Sequence, residues 1–266
     1  MRNLRDIQLF MLDMDGTIYH ENDLVPGALD FFDLLLKQGK QYIFMTNNSS
    51  KNKSAYVDKL NRLGIVANES NIASSVNATI LYLKEQKPNA KIYLIGTESF
   101  KKELQEENFN IVPLDYRQND IDYVVLGFDT ELNYEKLVGA CYYVSRGYNY
   151  IATNCDLKCP VKDKKFIPDC GAIANMIETA TGRLPTFLGK PERTIVDYVS
   201  QNTGVSIDKI ACVGDRLYTD IAVGINAGTT TVCVLTGEAT KEEIITSEFK
   251  PDYCYDSIRE LYQNIK

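Results

Sequence analysis

Short apolar runs alternate with amphipathic segments almost from end to end of the chain, the pattern of α/β layers around a mostly parallel sheet. Ile7 to Leu12 (IQLFML) and Gln41 to Met45 (QYIFM) predict strands buried on both faces. Between them, Pro26 to Gln38 predicts a helix with proline at its start, Leu29, Phe32 and Leu36 on one face, and Gly39 as its stop. The three together make one βαβ unit. The alternation continues with strands at Lys91 to Ile95, Tyr123 to Gly127 and Asn149 to Thr153, and helices at Tyr134 to Arg146 and Gly171 to Thr181. A helix from Pro191 to Asn202, stopped by Gly204, leads into the strands Ile210 to Val213 and Thr230 to Leu235, which bracket a helix near Thr219 to Asn226. No fixed-period repeat, low-complexity tract or Ser/Gly-rich linker interrupts the pattern. A domain inserted through two short crossings leaves a boundary of this weak kind.

Composition narrows the chemistry. The 266 residues allow one large domain or two modest ones. With 29 basic against 36 acidic residues, a net charge of -7 and a pI near 5.0, no basic track is available for DNA or RNA. The sole histidine, His20, excludes zinc sites built on several imidazoles, so proton transfer is expected to fall to carboxylates, lysines or a metal. Seven cysteines without a CxxC pair fit a reducing compartment. Cys155, Cys159 and Cys170 are read as buried or loop thiols rather than a metal cluster. Sequons stand at Asn48, Asn68 and Asn77, but the run Ile7 to Leu12 is too short for a signal h-region, and no stretch approaches the ~18 apolar residues that span a bilayer. The expectation is a cytoplasmic protein that engages neither membrane nor nucleic-acid polymer.

Polar clusters close the apolar runs, and in parallel α/β sheets ligands gather beyond the carboxyl ends of the strands. Four stand out: Asp13-Met14-Asp15-Gly16-Thr17, Thr46-Asn47-Asn48-Ser49-Ser50, Gly189-Lys190-Pro191, and Gly214-Asp215-Arg216 with Asp220 beyond it. Aspartates at i and i+2 of a strand project to one side, and two carboxylates so close require a cation or a shared proton. Gly16 permits the sharp departure that turns Asp15 toward a ligand. Asp215, from another strand end, completes an oxygen-rich set suited to Mg²⁺. Thr46 and Asn47 add uncharged donors, a helix start near Lys51 adds backbone N–H groups, and Lys190 adds a positive charge. This is the inventory of a phosphoryl-transfer site, where catalysis is mostly positioning and charge neutralisation. Alone, an Asp-x-Asp at a strand end is a turn and helix-capping device, and Thr46 and Asn47 can cap the following helix as well as hold phosphate.

In order along the chain, DMDGT, TNNSS, GKP and GDRLYTD resemble the four motifs of the haloacid dehalogenase superfamily of phosphatases. From TNCD at Thr153, through FIPDCGAIANMIETATGRLP, to FLGKP, the chain resembles the NagD-like, or 4-nitrophenylphosphatase-type, subfamily. The resemblance implies a three-layer Rossmann-like core with a parallel sheet, formed by residues 1–80 and 184–266, and a large inserted α/β cap over 81–183. It implies that Asp13 is the nucleophile, passing through an aspartyl-phosphate, and that Asp15 is the general acid and base. It gives Mg²⁺ to the Asp13 carboxylate, the Asp15 main-chain carbonyl and the Asp215 carboxylate. Thr46 and the Asn47 backbone would grip the phosphoryl group, Lys190 would offset its charge, and Asp220 would orient these groups from outside. Arg216 is divided evenly between contacting substrate and pairing with a neighbouring acid.

The expected activity is Mg²⁺-dependent hydrolysis of a small phosphorylated metabolite, a sugar phosphate or nucleoside monophosphate, with p-nitrophenyl phosphate as a generic substrate. A phosphotransferase or phosphomutase using the same nucleophile stays open. A phospho-receiver module is disfavoured by the length and by the second acid of DMDGT. GxGxxG and GxxxxGK[ST] fingerprints are absent. His20 is read as a loop residue, Tyr142 and Tyr143 as packing, and Asp169 and Cys170 as candidates for substrate selection in the cap. A homodimer through the cap is compatible with the resemblance.

Overall fold

A computed structural model describes residues 2–161 and 165–266. The chain divides into two compact units, one of Met1–Thr46, Lys53–Ala73 and Lys190–Lys266, the other of Asn47–Asn52 and Ser74–Gly189.

In the first unit the strands Leu9–Leu12, Ile210–Gly214 and Thr230–Val234 are buried at every position, as central strands of a sheet covered on both faces must be. The six-stranded sheet runs Tyr253–Tyr255, Thr230–Val234, Ile210–Gly214, Leu9–Leu12, Gln41–Thr46, Ile72–Ser74, and every pairing from the first of these to the fifth is parallel. Leu9–Leu12 therefore lies between the next strand of this sheet along the chain, Gln41–Thr46, and one that returns some 200 residues later. The strand order reverses there, and the carboxyl end of that strand is the crevice where ligands of open α/β sheets bind.

The helix Ala28–Lys37 buries Ala28, Phe31, Phe32 and Leu35, an i, i+3, i+4, i+7 stripe. The expected face is corrected: Leu29 is 43% and Leu36 54% exposed, while Phe31 packs edge-on against Phe10 and Phe32 against Phe44, each at 5.5 Å between ring centroids. Two phenylalanines bury more apolar area than two leucines, and they decide the rotation of the helix. The helix expected from Pro191 begins at Thr194, because residues 190–193 form turns; Gly204, at φ 69°, ends it as expected. The helix near Thr219 is a wide π-type turn over Leu217–Ile221 that passes into Ala222–Ala227. The first strand, expected from Ile7, begins at Leu9, after a 3-10 turn over Leu4–Asp6.

The second unit holds a five-stranded parallel sheet in the order Thr186–Phe187, Asn149–Ala152, Tyr123–Leu126, Lys91–Ile95, Asn110–Ile111. One cluster joins Tyr93, Val124 and Leu126 to Tyr143 of the helix Tyr134–Val144 and Ile173 of the helix Cys170–Thr181. Another joins Ile92, Leu94 and Val125 to Val76, Ile80 and Leu83 of the helix Ser75–Gln86. An antiparallel pair, Lys158–Val161 with Lys165–Pro168, completes the unit. Tyr143 is core, and Tyr142 packs beneath the Arg146 guanidinium at 3.6 Å. Among the described residues no helix is long and apolar enough to cross a membrane.

Candidate active site

The buried ends of the central strands of the first unit carry the charge. Asp13 follows Leu9–Leu12 directly and donates its N–H to the Val213 carbonyl at 2.9 Å, so the ladder to the neighbouring strand fixes its backbone. Asp215 follows Ile210–Gly214 in the same way. Lys190, at the chain's return to this unit, bridges Asp13 Oδ1 at 2.7 Å and Asp220 Oδ1 at 2.6 Å. One carboxylate oxygen from each of Asp13, Asp215 and Asp220 lies within 4.8 Å of the others, and all three residues are buried.

Backbone and small residues hold this cluster. Asp220 Oδ2 accepts the Arg216 N–H at 3.1 Å, a contact made by the wide turn at Leu217–Ile221, so both of its oxygens are engaged by N–H groups. Asp215 accepts the Thr17 hydroxyl on Oδ1 at 3.2 Å and the Glu238 N–H on Oδ2 at 2.9 Å. Gly16 turns the loop at φ 90°, and a Cβ there would come within 2.5 Å of Asp215 Oδ2. The glycine of DMDGT thus answers two needs, a left-handed turn and close approach of Asp215.

Three carboxylates facing one ammonium leave an excess of negative charge in a desolvated place. Burial, with Asp220 adding to it, raises the Asp13 pKa to about 7 against the opposing pull of Lys190. Burial and Asp220 raise Asp215 to about 6. Burial alone would push Lys190 down, but Asp13 and Asp220 reverse it and hold the ammonium charged above its ordinary range. Hard oxygen donors with surplus negative charge, one carboxylate oxygen from each of Asp13, Asp215 and Asp220, fit a divalent cation of the Mg²⁺ or Ca²⁺ kind.

The other sequence-picked residues are placed as follows. Asp15 stands exposed on the same loop, bridged through its backbone to Tyr19. Thr46 ends Gln41–Thr46, whose Phe44 pairs with Leu12, so Thr46 leaves the sheet at the same end as Asp13 and is buried. Arg216 pairs through Nε with Glu238 at 3.0 Å, and although burial opposes it, Asp13, Asp220 and Asp215 raise its pKa. Asn47 belongs to the second unit, where its side-chain amide donates to Asp156 at 2.8 Å and its carbonyl accepts the Ser75 hydroxyl at 2.7 Å. In that unit Asp169 caps the helix Cys170–Thr181 through the Cys170 N–H and accepts from Asn154 at 3.1 Å, with burial raising its pKa to about 6. The Cys170 thiol is buried beneath Leu126 and pushed up to about 12. His20 is exposed in a short hairpin. Among the described residues the aspartate cluster is the one metal-capable group.

The four clusters picked from the sequence omit Thr236-Gly237-Glu238, just past Thr230–Val234. The rule that found the others, polar residues beyond a buried parallel strand, applies to it as well. Asp156 carries no such signal, because its partner Asn47 is distant in sequence.

A parallel sheet whose reversal point ends in clustered acids around a buried lysine is the arrangement of an α/β enzyme that binds its ligand at the switch point. The chain belongs to the haloacid dehalogenase-like hydrolase family: that family's model matches residues 10–110, and the HAD-hydrolase-like model matches 187–261. An acid sugar phosphatase of Staphylococcus epidermidis is 36% identical over 257 residues, covering 96% of each chain. The crystal structure of a 4-nitrophenylphosphatase from Thermotoga maritima superposes with a TM-score of 0.92 at 38% identity, covering 100% of both chains. A glycerol phosphate phosphatase from Mycobacterium tuberculosis, solved in complex with calcium, superposes with a TM-score of 0.89 at 25% identity, over 98% of this chain and 76% of that one.

Proposed function

We propose that the protein is a Mg²⁺-dependent phosphomonoesterase of small phosphorylated metabolites, sugar phosphates foremost, working through a phosphoenzyme on Asp13. The observation that carries the reading is the Lys190 ammonium held between Asp13 and Asp220 beside Asp215, at the end of the strand where the sheet order reverses. The names of the relatives, phosphatases of sugar, glycerol and nitrophenyl phosphates, support the substrate class.

In this reading Lys190 orients Asp13 Oδ1 and opposes the burial that favours its protonation, so that the carboxylate can attack phosphorus. The new O–P bond forms as the ester O–P bond breaks, and Asp15, on the exposed part of the loop, gives its proton to the departing alcohol. Asp15 then takes a proton from water, whose oxygen attacks phosphorus and returns Asp13 as a carboxylate with release of phosphate. The Asp13 and Asp215 carboxylates and the Asp15 carbonyl would hold Mg²⁺, which would supply charge neutralisation at the phosphoryl oxygens. Thr46 and the backbone of Asn47 grip those oxygens. Asp220 orients Lys190, and Arg216 attracts the anionic substrate at the rim. The first unit acts as the catalytic core, and the second corresponds to the inserted cap.

The test is phosphate release from p-nitrophenyl phosphate with Mg²⁺, with a chelator, and by Asp13→Asn. Activity that survives the chelator or the substitution refutes the mechanism. A panel of sugar phosphates and nucleoside monophosphates compared by kcat/KM then fixes the substrate; equal rates across the panel would refute the preference for sugars.

A further inference from the structure

The segment after the strand Thr230–Val234 contributes no acid or base to the proposed chemistry, yet it binds two of the site's loops together. The Thr236 hydroxyl donates to the Gly16 carbonyl at 2.6 Å, on the loop that carries Asp15. Two residues on, the Glu238 N–H donates to Asp215 Oδ2 at 2.9 Å, and the Ala239 N–H donates to the Asp215 carbonyl at 2.8 Å. Between them a Cβ on Gly237 would stand 1.9 Å from Asp215 Oδ2 and 2.4 Å from its Cγ. Gly16 crowds the same oxygen, with its own missing Cβ 2.5 Å away, while Thr17 holds Oδ1 at 3.2 Å. The Asp215 carboxylate thus sits in a slot whose two walls are glycines, and its rotation is closed by a hydrogen bond on each oxygen.

We propose that Thr236–Glu238 is a positioning segment for cation binding: Thr236 ties the Gly16 loop down, and the turn at Gly237 and Glu238 fixes the plane of the Asp215 carboxylate. The inference rests on the reading of Asp13 and Asp215 as ligands of a divalent cation. Its physical basis is that Mg²⁺ demands near-octahedral geometry and tolerates misplaced donors poorly. Partners that orient a ligand are accordingly worth about 10- to 100-fold in metal affinity. Neither Thr236 nor Gly237 is positioned to touch substrate through a charged group, so the effect should appear in metal affinity ahead of substrate affinity.

The experiment compares wild type, Thr236→Val, Thr236→Ser and Gly237→Ala by two measurements: the melting temperature titrated with Mg²⁺ in the absence of substrate, and the Mg²⁺ dependence of p-nitrophenyl phosphate hydrolysis. Thr236→Val, which keeps the shape and loses the hydroxyl, is expected to raise the half-saturating Mg²⁺ about 10-fold by both measurements. Its KM at saturating Mg²⁺ should stay within about 3-fold of wild type, because uniform substrate binding is untouched. Thr236→Ser is expected to match wild type, and Gly237→Ala to lose up to about 100-fold, since its Cβ displaces the carboxylate itself. Wild-type Mg²⁺ affinity in Thr236→Val, or equal loss in Thr236→Ser, overturns the proposal. A variant that melts lower without Mg²⁺ is judged by the Mg²⁺-induced shift, and an undiminished shift counts against the proposal. A wild-type protein whose melting temperature ignores Mg²⁺ refutes the metal reading itself, and this proposal with it.

Discussion

Among the described residues two buried lysines meet aspartates, one in each compact unit, and they are built to opposite ends. In the second unit Lys136 donates to Asp129 at 2.8 Å, to the Gly96 carbonyl at 2.9 Å and to the Glu131 carbonyl at 3.2 Å. The other oxygen of Asp129 accepts the Glu131 N–H at 2.9 Å. One positive charge faces one negative charge, and the three donors of the ammonium are spent on three acceptors. In the first unit Lys190 bridges two carboxylates with a third beside them, so the charges do not balance within the protein. A closed pair holds a fold together; under the proposed function, a cation and the substrate's phosphoryl group complete the open one. Burial of a lysine and an aspartate is common to both, and the imbalance marks the site.

Mutation should separate the two centres most sharply. Asp13→Asn is expected to cut p-nitrophenyl phosphate hydrolysis at least about 10³-fold, the scale on which removal of a nucleophile acts. Its melting temperature should hold or rise, because the substitution relieves an over-charged cluster. Asp129→Asn should behave in reverse. It strands a buried ammonium and is expected to cost about 3–5 kcal/mol in urea unfolding, while turnover per folded molecule changes far less than in Asp13→Asn. If Asp129→Asn abolishes turnover without lowering stability, the distinction between closed and open pairs fails.

Metal is expected to act on one centre only. Mg²⁺ at about 100 times its Kd should stabilise wild type by about 2.7 kcal/mol through binding to the folded state alone. Thermal melts of Asp215→Asn should show most of that gain gone, and melts of Asp129→Asn should show it intact relative to that variant's own metal-free baseline. A Mg²⁺ response lost equally in both would break the comparison.

How far these centres could be read from the sequence follows from where each signal lies. Strands such as Leu9–Leu12 and Ile210–Gly214 are buried on both faces, so they appear as plain apolar runs, and the first polar residues after them are Asp13 and Asp215. That local adjacency, with the GKP and GDRLYTD motifs, is enough to nominate the residues the structure brings together around Lys190. The closed pair has no such signal, because Lys136 lies inside an amphipathic helix and two of its acceptors are main-chain carbonyls. Backbone donors also hide the role of Thr236–Glu238, whose contact with Asp215 runs through an N–H that every residue but proline carries. The helix Ser75–Gln86 goes unread because its first six residues are all buried, which removes the 3.6-residue contrast that betrays a surface helix. The misjudged face of Ala28–Lys37 is a related case, since apolar residues surround so much of that helix that only the packing of Phe31 and Phe32 fixes the rotation.

The smallest effect, and the one that titrates the comparison directly, is the pH dependence of stability without metal. Asp13 ionises near 3.8 in the unfolded chain and at about 7 in the folded one, and Asp215 at about 6. Between these values the folded state binds more protons than the unfolded state, so stability must fall as pH rises from about 4 to about 7, at no more than about 1.4 kcal/mol per pH unit for each group. Urea unfolding in a chelator across that range is expected to show the decline. Asp13→Asn should remove the part between pH 6 and 7, where Asp13 titrates last, and reduce the slope below it. Saturating Mg²⁺ should flatten the curve in wild type, because a cation bound to the ionised carboxylates draws their folded-state pKa values down. Asp129→Asn, with the open centre intact, should keep the full decline on a lower baseline. A decline insensitive to both Asp13→Asn and Mg²⁺ would place the titrating groups elsewhere and deny that the excess charge around Lys190 is what distinguishes it from Lys136.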